Sequence, residues 1–247
     1  MSAIDVQHLS KRFPTGTLAL DDINLEIAAG EFLAVVGPSG CGKSTLLRIM
    51  AGLESATTGR IAIDEAAPSD VAMQSAVVFQ EASLFPWMTV AQNVVVAFDS
   101  LRVSRADIAN RVGKELELVG LSAFAGAYPH ELSGGMKQRV AVARAFAVDP
   151  AILYMDEPFG ALDEQTRVGL AGELMALWER TRKTVVFITH GIEEAVTLAD
   201  RVVVLSKGPG TVKAVIPIDF ERPRDAIDLR GDPRFGEYVV RIWDLLA

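Results

Sequence analysis

Short apolar runs recur along the chain, each ending in a glycine, an acid or a polar residue. "EFLAVVG" (31–37), "SAVVFQ" (75–80), "AILYMDE" (151–157), "TVVFITH" (184–190) and "RVVVLS" (201–206) have the length and Val/Ile content of strands. Most are apolar throughout instead of alternating, the pattern of strands covered on both faces of a parallel sheet. Between them the period lengthens. In 163–182, Leu170, Leu174, Leu177 and Trp178 share one helical face, with Asp163 placed as N-cap. "KSTLLRIMAGL" (43–53), "SRADIANRVGKELELVGL" (104–121) and 133–147 also read as helices. This alternation predicts a doubly wound α/β core.

Two regions depart from it. "AIDVQHLSKRF" (3–13) and "LALDDINLEI" (18–27) read as strands with no helix between them, which predicts an antiparallel N-terminal flap. Residues 83–148 carry no strand pattern, so a helical subdomain inserted into the core is expected there. Within it, "ASLFPWMTVAQNVVVAF" (82–98) is uncharged. Val94, Val95 and Phe98 read as subdomain core. Leu84, Phe85, Pro86 and Trp87 are crowded where Pro86 opposes a continuous helix, so they predict an exposed apolar loop suited to a partner.

Composition narrows the function. A chain of 247 residues is one large domain or one domain with a subdomain. A formal charge of −8 argues against a nucleic-acid partner. The single cysteine, Cys41, excludes an internal disulfide framework and a multi-Cys zinc site. The first residues lack the apolar run of a secretory signal, and nowhere are 18 apolar residues consecutive.

The chemistry starts at Gly37, Pro38, Ser39, Gly40, Cys41, Gly42, Lys43, Ser44 and Thr45, which fit G-x-x-x-x-G-K-[ST] between a strand and a helix. Such a loop curls so that backbone N–H groups and a helix N-terminus face phosphate oxygens. Lys43 is placed to neutralise terminal phosphates, and the Ser44 hydroxyl to reach Mg²⁺. Asp156 ends a strand where its carboxylate meets the same cation. Glu157 follows, aimed elsewhere by strand alternation and able to polarise a water. His190 and Gln80 end neighbouring strands, in reach of the γ-phosphate and of the Mg²⁺ or water shell. A second phosphate cradle, "LSGGMKQR" (132–139), lies far along the chain.

The order of phosphate loop, Gln80, "LSGGMKQR", "ILYMDEP", "ALD" and His190 resembles the ATP-binding cassette (ABC) family over essentially the whole chain. The resemblance implies a P-loop NTPase core of RecA-like type, hydrolysing ATP with Mg²⁺. It implies an ATP-binding domain over 1–220 and a short C-terminal extension over 221–247. It also implies a head-to-tail homodimer in which each ATP lies between one phosphate loop and the other signature. Ser133, Gly134, Gly135 and Gln138 would then serve the partner's ATP. By the same resemblance Gln80 is the Q-loop glutamine, Glu157 the catalytic base, Asp163 the D-loop acid and His190 the switch histidine. Phe13 stands where an aromatic underlies adenine, packing within the flap being its other reading. Gly191 follows the switch histidine where many relatives have Asp, with no consequence expected for the chemistry.

With one cassette and no long coiled coil between the phosphate loop and the signature, DNA-repair and translation-factor relatives fit poorly. The segments "THGIEEAVTLADRVVVLSKGPG" and "ERPRDAIDLRGDPRFGEYVVRIWDLL" resemble the nitrate/sulfonate/taurine importer branch. That branch implies a peripheral subunit on the cytoplasmic face of the inner or plasma membrane. Its partners would be membrane permease subunits and, indirectly, a solute-binding protein. Phe85, Pro86 and Trp87 are then the residues expected to receive the permease. A lipid or efflux cassette and a non-transport regulatory ATPase remain as alternatives.

Overall fold

A computed structural model describes residues 3–70, 74–98, 104–160 and 162–247. The expected flap strands are β1 (Ile4–Arg12) and β2 (Leu18–Ile27), paired antiparallel. The apolar runs form β3 (Phe32–Val36), β5 (Ser75–Val78), β6 (Ile152–Asp156), β7 (Thr184–Ile188) and β8 (Arg201–Leu205). These lie parallel in the order β5-β6-β7-β3-β8. Two further strands have no counterpart in the sequence reading. β4 (Thr58–Ile63) completes the flap on the free side of β1, and β9 (Val212–Pro217) pairs antiparallel with β8 at the sheet edge. Both are half-covered strands, buried along part of their length or on one face, so neither shows a continuous apolar run.

Each central strand is buried on both faces because its alternate residues enter two different cores. Along β3, Phe32, Ala34 and Val36 join a core with the helices, while Leu33 and Val35 join one with the flap. In the second core α1 (Lys43–Met50) inserts Leu46, Leu47 and Met50 between sheet and flap. Tyr154 crosses that core to donate from its hydroxyl to Met50 O at 2.9 Å. On the opposite face α5 (Glu164–Thr181) buries Leu170, Leu174 and Trp178, whose ring meets Phe32 edge-on at 5.7 Å. Leu177 is partly buried against the same core.

The block expected to be helical contains α2 (Val90–Val95), α3 (Arg105–Leu118) and α4 (Gly134–Ala147), packed on one another. Ser104 and Ser133 cap α3 and α4 through their hydroxyls, and Thr89 with Gln92 forms a capping box on α2. Val94 and Phe98 are buried and Val95 partly so. After β7 come α6 (Ile192–Leu198), and after β9 come α7 (Ala226–Arg230) and α8 (Pro233–Leu246). The segment 221–247 packs on the α/β core. Arg224 is buried and donates to the carbonyls of Thr197, Ala199, Ile218 and Phe220, while α8 buries Phe235 and Ile242. Among the described residues no helix is long and apolar enough to cross a membrane.

Candidate functional site

Ligands of open parallel sheets collect beyond the carboxyl ends of the strands, and the expected residues assemble there. The loop after β3 turns through Gly40 and Gly42, with φ of 75° and 101°, into the first turn of α1. A Cβ on Gly42 would lie 2.7 Å from Ala19 O and from Leu20 Cδ2, so backbone and space both require glycine. Lys43 is buried and donates from Nζ to Gly37 O at 2.8 Å and Pro38 O at 3.1 Å, which holds its charge over the loop. Cys41 is a packing residue. It is buried, and burial pushes its thiol up, away from the reactive thiolate.

The adjacent acids at the end of β6 diverge, Asp156 as the last strand residue and Glu157 beyond it with a left-handed backbone, so the turn and not strand alternation aims Glu157. Asp156 is buried and accepts from Ser44 Oγ at 2.9 Å. Burial pushes its carboxyl above the ordinary range, the Ser44 hydrogen bond opposing this and the neighbouring Glu157 adding to it. Glu157 sits at φ 46°, in the left-handed region that a non-glycine residue adopts at a cost of about 1–3 kcal/mol. Its N–H donates to Ile188 O at 2.9 Å, locking it to β7. His190 Nδ1 lies 3.1 Å from Glu157 Oε2, and Gln80 Nε2 donates to the same oxygen at 3.4 Å. Two strand ends thus deliver their side chains to the carboxylate at the end of a third.

A cleft of about 860 Å³, of the size that takes small-molecule ligands, runs from the phosphate loop to Gln80 and Glu157, while Asp156 and His190 lie outside its lining. Ser39, Gly40, Gly42, Lys43, Ser44, Thr45, Gln80 and Glu157 line it on one side, Phe13 and Thr17 of the flap on the other. Phe13 is half-buried on this wall, with Lys11 Nζ 5.1 Å from its ring centroid.

The signature stands apart. Ser133 and Gly134 are exposed at the N-terminus of α4 and do not line the cleft. A Cβ on Gly134 would meet nothing, whereas one on Gly135 would lie 3.0 Å from Leu162 Cδ2. Asp163 also lies outside the cleft lining. It caps α5, accepting from Thr166 N at 3.0 Å and Thr166 Oγ1 at 2.7 Å, and these bonds hold its carboxyl below the ordinary range.

Gln138 departs from expectation. Its side chain is buried and its amide donates to Phe79 O at 3.1 Å, so it has no free surface for a partner's nucleotide. It works inside the chain instead. One turn or more along α4, Arg144 donates to Ala82 O at 3.0 Å and Ser83 O at 2.9 Å. The signature helix therefore grips the backbone on both sides of Gln80.

Trp87 is 69% exposed, with Phe85 half-buried beneath it at 5.6 Å between ring centroids. What holds this loop is Asn93, which sequence reasoning passed over. Fully buried, Asn93 accepts from Phe85 N at 2.7 Å and donates to the carbonyls of Phe85, Met88 and Thr89. Its signal was a carboxamide inside an apolar run, since buried polar groups must be bonded. Asn93→Ala should lower folding stability by about 1–3 kcal/mol by orphaning these buried groups, as read by urea denaturation.

Residues 20–160 match the family described as ABC transporter. An uncharacterized ABC transporter ATP-binding protein of Methanocaldococcus jannaschii is 46% identical over 246 residues, 98% of this chain and 91% of that protein. A nitrate import ATP-binding protein of Synechococcus elongatus is 43% identical over 244 residues, 96% of this chain and 89% of its own. A solved dimeric ATP-binding cassette, in a post-hydrolysis state bound to ADP and Pi, superposes with a TM-score of 0.81. It is 32% identical and covers 88% of this chain and 100% of that one. With its phosphate loop, paired acids and separate signature in place on the same fold, this chain belongs to the ABC transporter family, as an ATP-binding and ATP-hydrolysing cassette.

Proposed function

We propose that this cassette powers uptake of a small solute, of the nitrate, sulfonate or taurine kind, through a separate membrane permease. It would work as a head-to-tail homodimer lying peripherally on the cytoplasmic face of the membrane, fed indirectly by a solute-binding protein. The names of relatives such as the nitrate import protein support the importer branch. The observation that carries the reading is the exposed Trp87 over a half-buried Phe85, a few residues after Gln80, which itself reaches Glu157. A partner docked there is mechanically close to the hydrolytic carboxylate.

In this reading the phosphate loop and Lys43 hold the triphosphate, and Phe13 stacks under the adenine. Ser44 and Asp156 suit Mg²⁺, being hard oxygen donors 2.9 Å apart. Among the described residues no larger His/Cys/Asp/Glu cluster exists, so the nucleotide's own phosphates would complete the shell. Bound there, Mg²⁺ would neutralise phosphate charge. Glu157 takes the proton from the attacking water, and His190 and Gln80 hold its carboxylate in place for that step. Ser133, Gly134, Gly135 and the Asp163 segment, all outside their own cleft, would close over the partner's ATP. A domain boundary near residue 220 belongs to the same proposal.

Trp87→Ala tests the docking half. Because Trp87 is 69% exposed, the isolated subunit should keep its fold and its ATPase activity. Loss of an interface anchor of this type costs about 2 kcal/mol or more, roughly a thirtyfold weakening, so permease assembly and transport should fail. Co-purification with the permease and solute uptake by vesicles read the result. Unchanged assembly would remove this loop from the interface. An ATPase that never associates with a membrane protein would favour the regulatory alternative.

A further inference from the structure

A buried hydroxyl braces the turn that carries His190. Thr189 Oγ1 accepts from Gly191 N at 2.8 Å and donates to Glu194 Oε2 at 2.5 Å, so it ties both flanks of the histidine. Glu194 continues the line. Its other oxygen forms an ion pair with Arg167, 3.3 Å from Nε but without hydrogen-bond geometry, and Arg167 Nη2 donates to Leu162 O at 3.0 Å, directly before Asp163. The elements joined are β7, α6, α5 and the loop preceding α5.

Burial gives this line its weight. Thr189 is 2% exposed and the Glu194 side chain 14%, whereas the His190 side chain is 60% exposed. The imidazole is therefore not fixed by its own packing. Its direction toward Glu157 follows the backbone of the turn, which the Thr189 hydroxyl and Glu194 brace alongside the bonds from Thr189 N to Val35 O and from Ala195 N to Gly191 O. Gly191 belongs to the same arrangement. Its φ of −84° suits any residue, so backbone freedom is not why it is glycine. A Cβ there would lie 3.1 Å from Glu194 Cδ and 3.2 Å from Glu194 Oε2. Glycine leaves room for the carboxylate to lie against the turn, a consequence that its place in the sequence did not disclose.

We infer that Thr189, Glu194 and Arg167 are positioning residues, a relay that aims His190 at Glu157 and couples its turn to the segment before Asp163. The inference rests on the catalytic reading of His190 and Glu157 given above. Misplacement of a group by about 1 Å is enough to slow a reaction by roughly a hundredfold, so a relay of this kind acts on turnover more than on substrate binding.

The test uses the full chain as the isolated subunit. Thr189→Val keeps the shape and removes the hydroxyl, Thr189→Ser keeps the hydroxyl, and Glu194→Gln removes the charge that Arg167 holds. In Thr189→Val kcat should fall about tenfold or more while KM for ATP stays within about twofold, and Thr189→Ser should restore most of the loss. A second readout is independent of activity. The chain has three histidines, so the His190 imidazole resonances can be identified as those lost in His190→Ala. They should shift in Thr189→Val and in Glu194→Gln and stay in place in Thr189→Ser. Unmoved resonances in both of the first two variants overturn the relay, and so does an unchanged kcat in Thr189→Val where His190→Ala is inactive. Should Thr189→Val fail to fold, Glu194→Gln decides on the same two readouts. A His190→Ala chain that hydrolyses ATP at the wild-type rate would instead sink the catalytic reading, leaving the resonances to judge the geometry.

Discussion

Glu157→Gln is expected to bind ATP with near wild-type affinity and to lose turnover by a factor of about 10²–10⁴, the usual contribution of a general base. The substitution keeps the shape of the side chain and removes its basicity. The left-handed backbone at Glu157, its N–H bond to Ile188 O and the contacts with His190 and Gln80 are all open to an amide. Failure to hydrolyse therefore cannot be blamed on misfolding, which thermal unfolding would check. With ATP and Mg²⁺ the variant should accumulate as a closed dimer on size-exclusion chromatography, because hydrolysis is what would reopen it. Wild-type turnover in this variant would take Glu157 out of the mechanism and leave the convergence of His190 and Gln80 without a catalytic purpose.

Lys43→Ala and Ser133→Arg should each abolish the activity of a homodimer, and mixing the two inactive chains should recover part of it. The structure supplies the reason for expecting complementation. Lys43 sits in the cleft beside Glu157, while Ser133 is exposed at the start of α4 and does not line that cleft. A head-to-tail heterodimer then has one interface with both parts intact and one with both defects. Loss of the Ser133 cap costs about 1 kcal/mol, too little to unfold a chain of this size, and the neighbouring Gly134 has open space around it. Steady-state ATPase measured across mixing ratios gives the result. Full activity in the Ser133→Arg homodimer would mean that the signature serves no nucleotide at all.

Much of the architecture was legible because it depends on local pattern. Continuous apolar runs marked the strands buried on both faces, and Asp163 marked a helix start through its capping chemistry. The phosphate loop was legible for a similar reason, since its glycines answer a demand of the local backbone. β4 and β9 went unread because β4 is covered over only half its length and β9 is fully buried only at Ile216, which leaves neither with a strand pattern to read. Gln138 was misread for a related cause. Its place beside the signature suggested a nucleotide, but helical periodicity turns it inward to Phe79 O.

What the sequence by itself determined is therefore the set of chemical parts: a phosphate loop, two adjacent acids, a strand-end glutamine and histidine, and a second cradle far along the chain. Each is encoded within a few consecutive residues, where steric and hydrogen-bonding rules act directly. What only the tertiary structure decided is how those parts are aimed. That Asp156 meets Ser44 while Glu157 meets His190 and Gln80 depends on the parallel register of β5, β6, β7 and β3. That Asn93 braces the Trp87 loop, and Glu194 the turn of His190, depends on buried polar groups finding partners that folding alone brings near. Such pairings join residues from different elements, and no local window of sequence contains both ends.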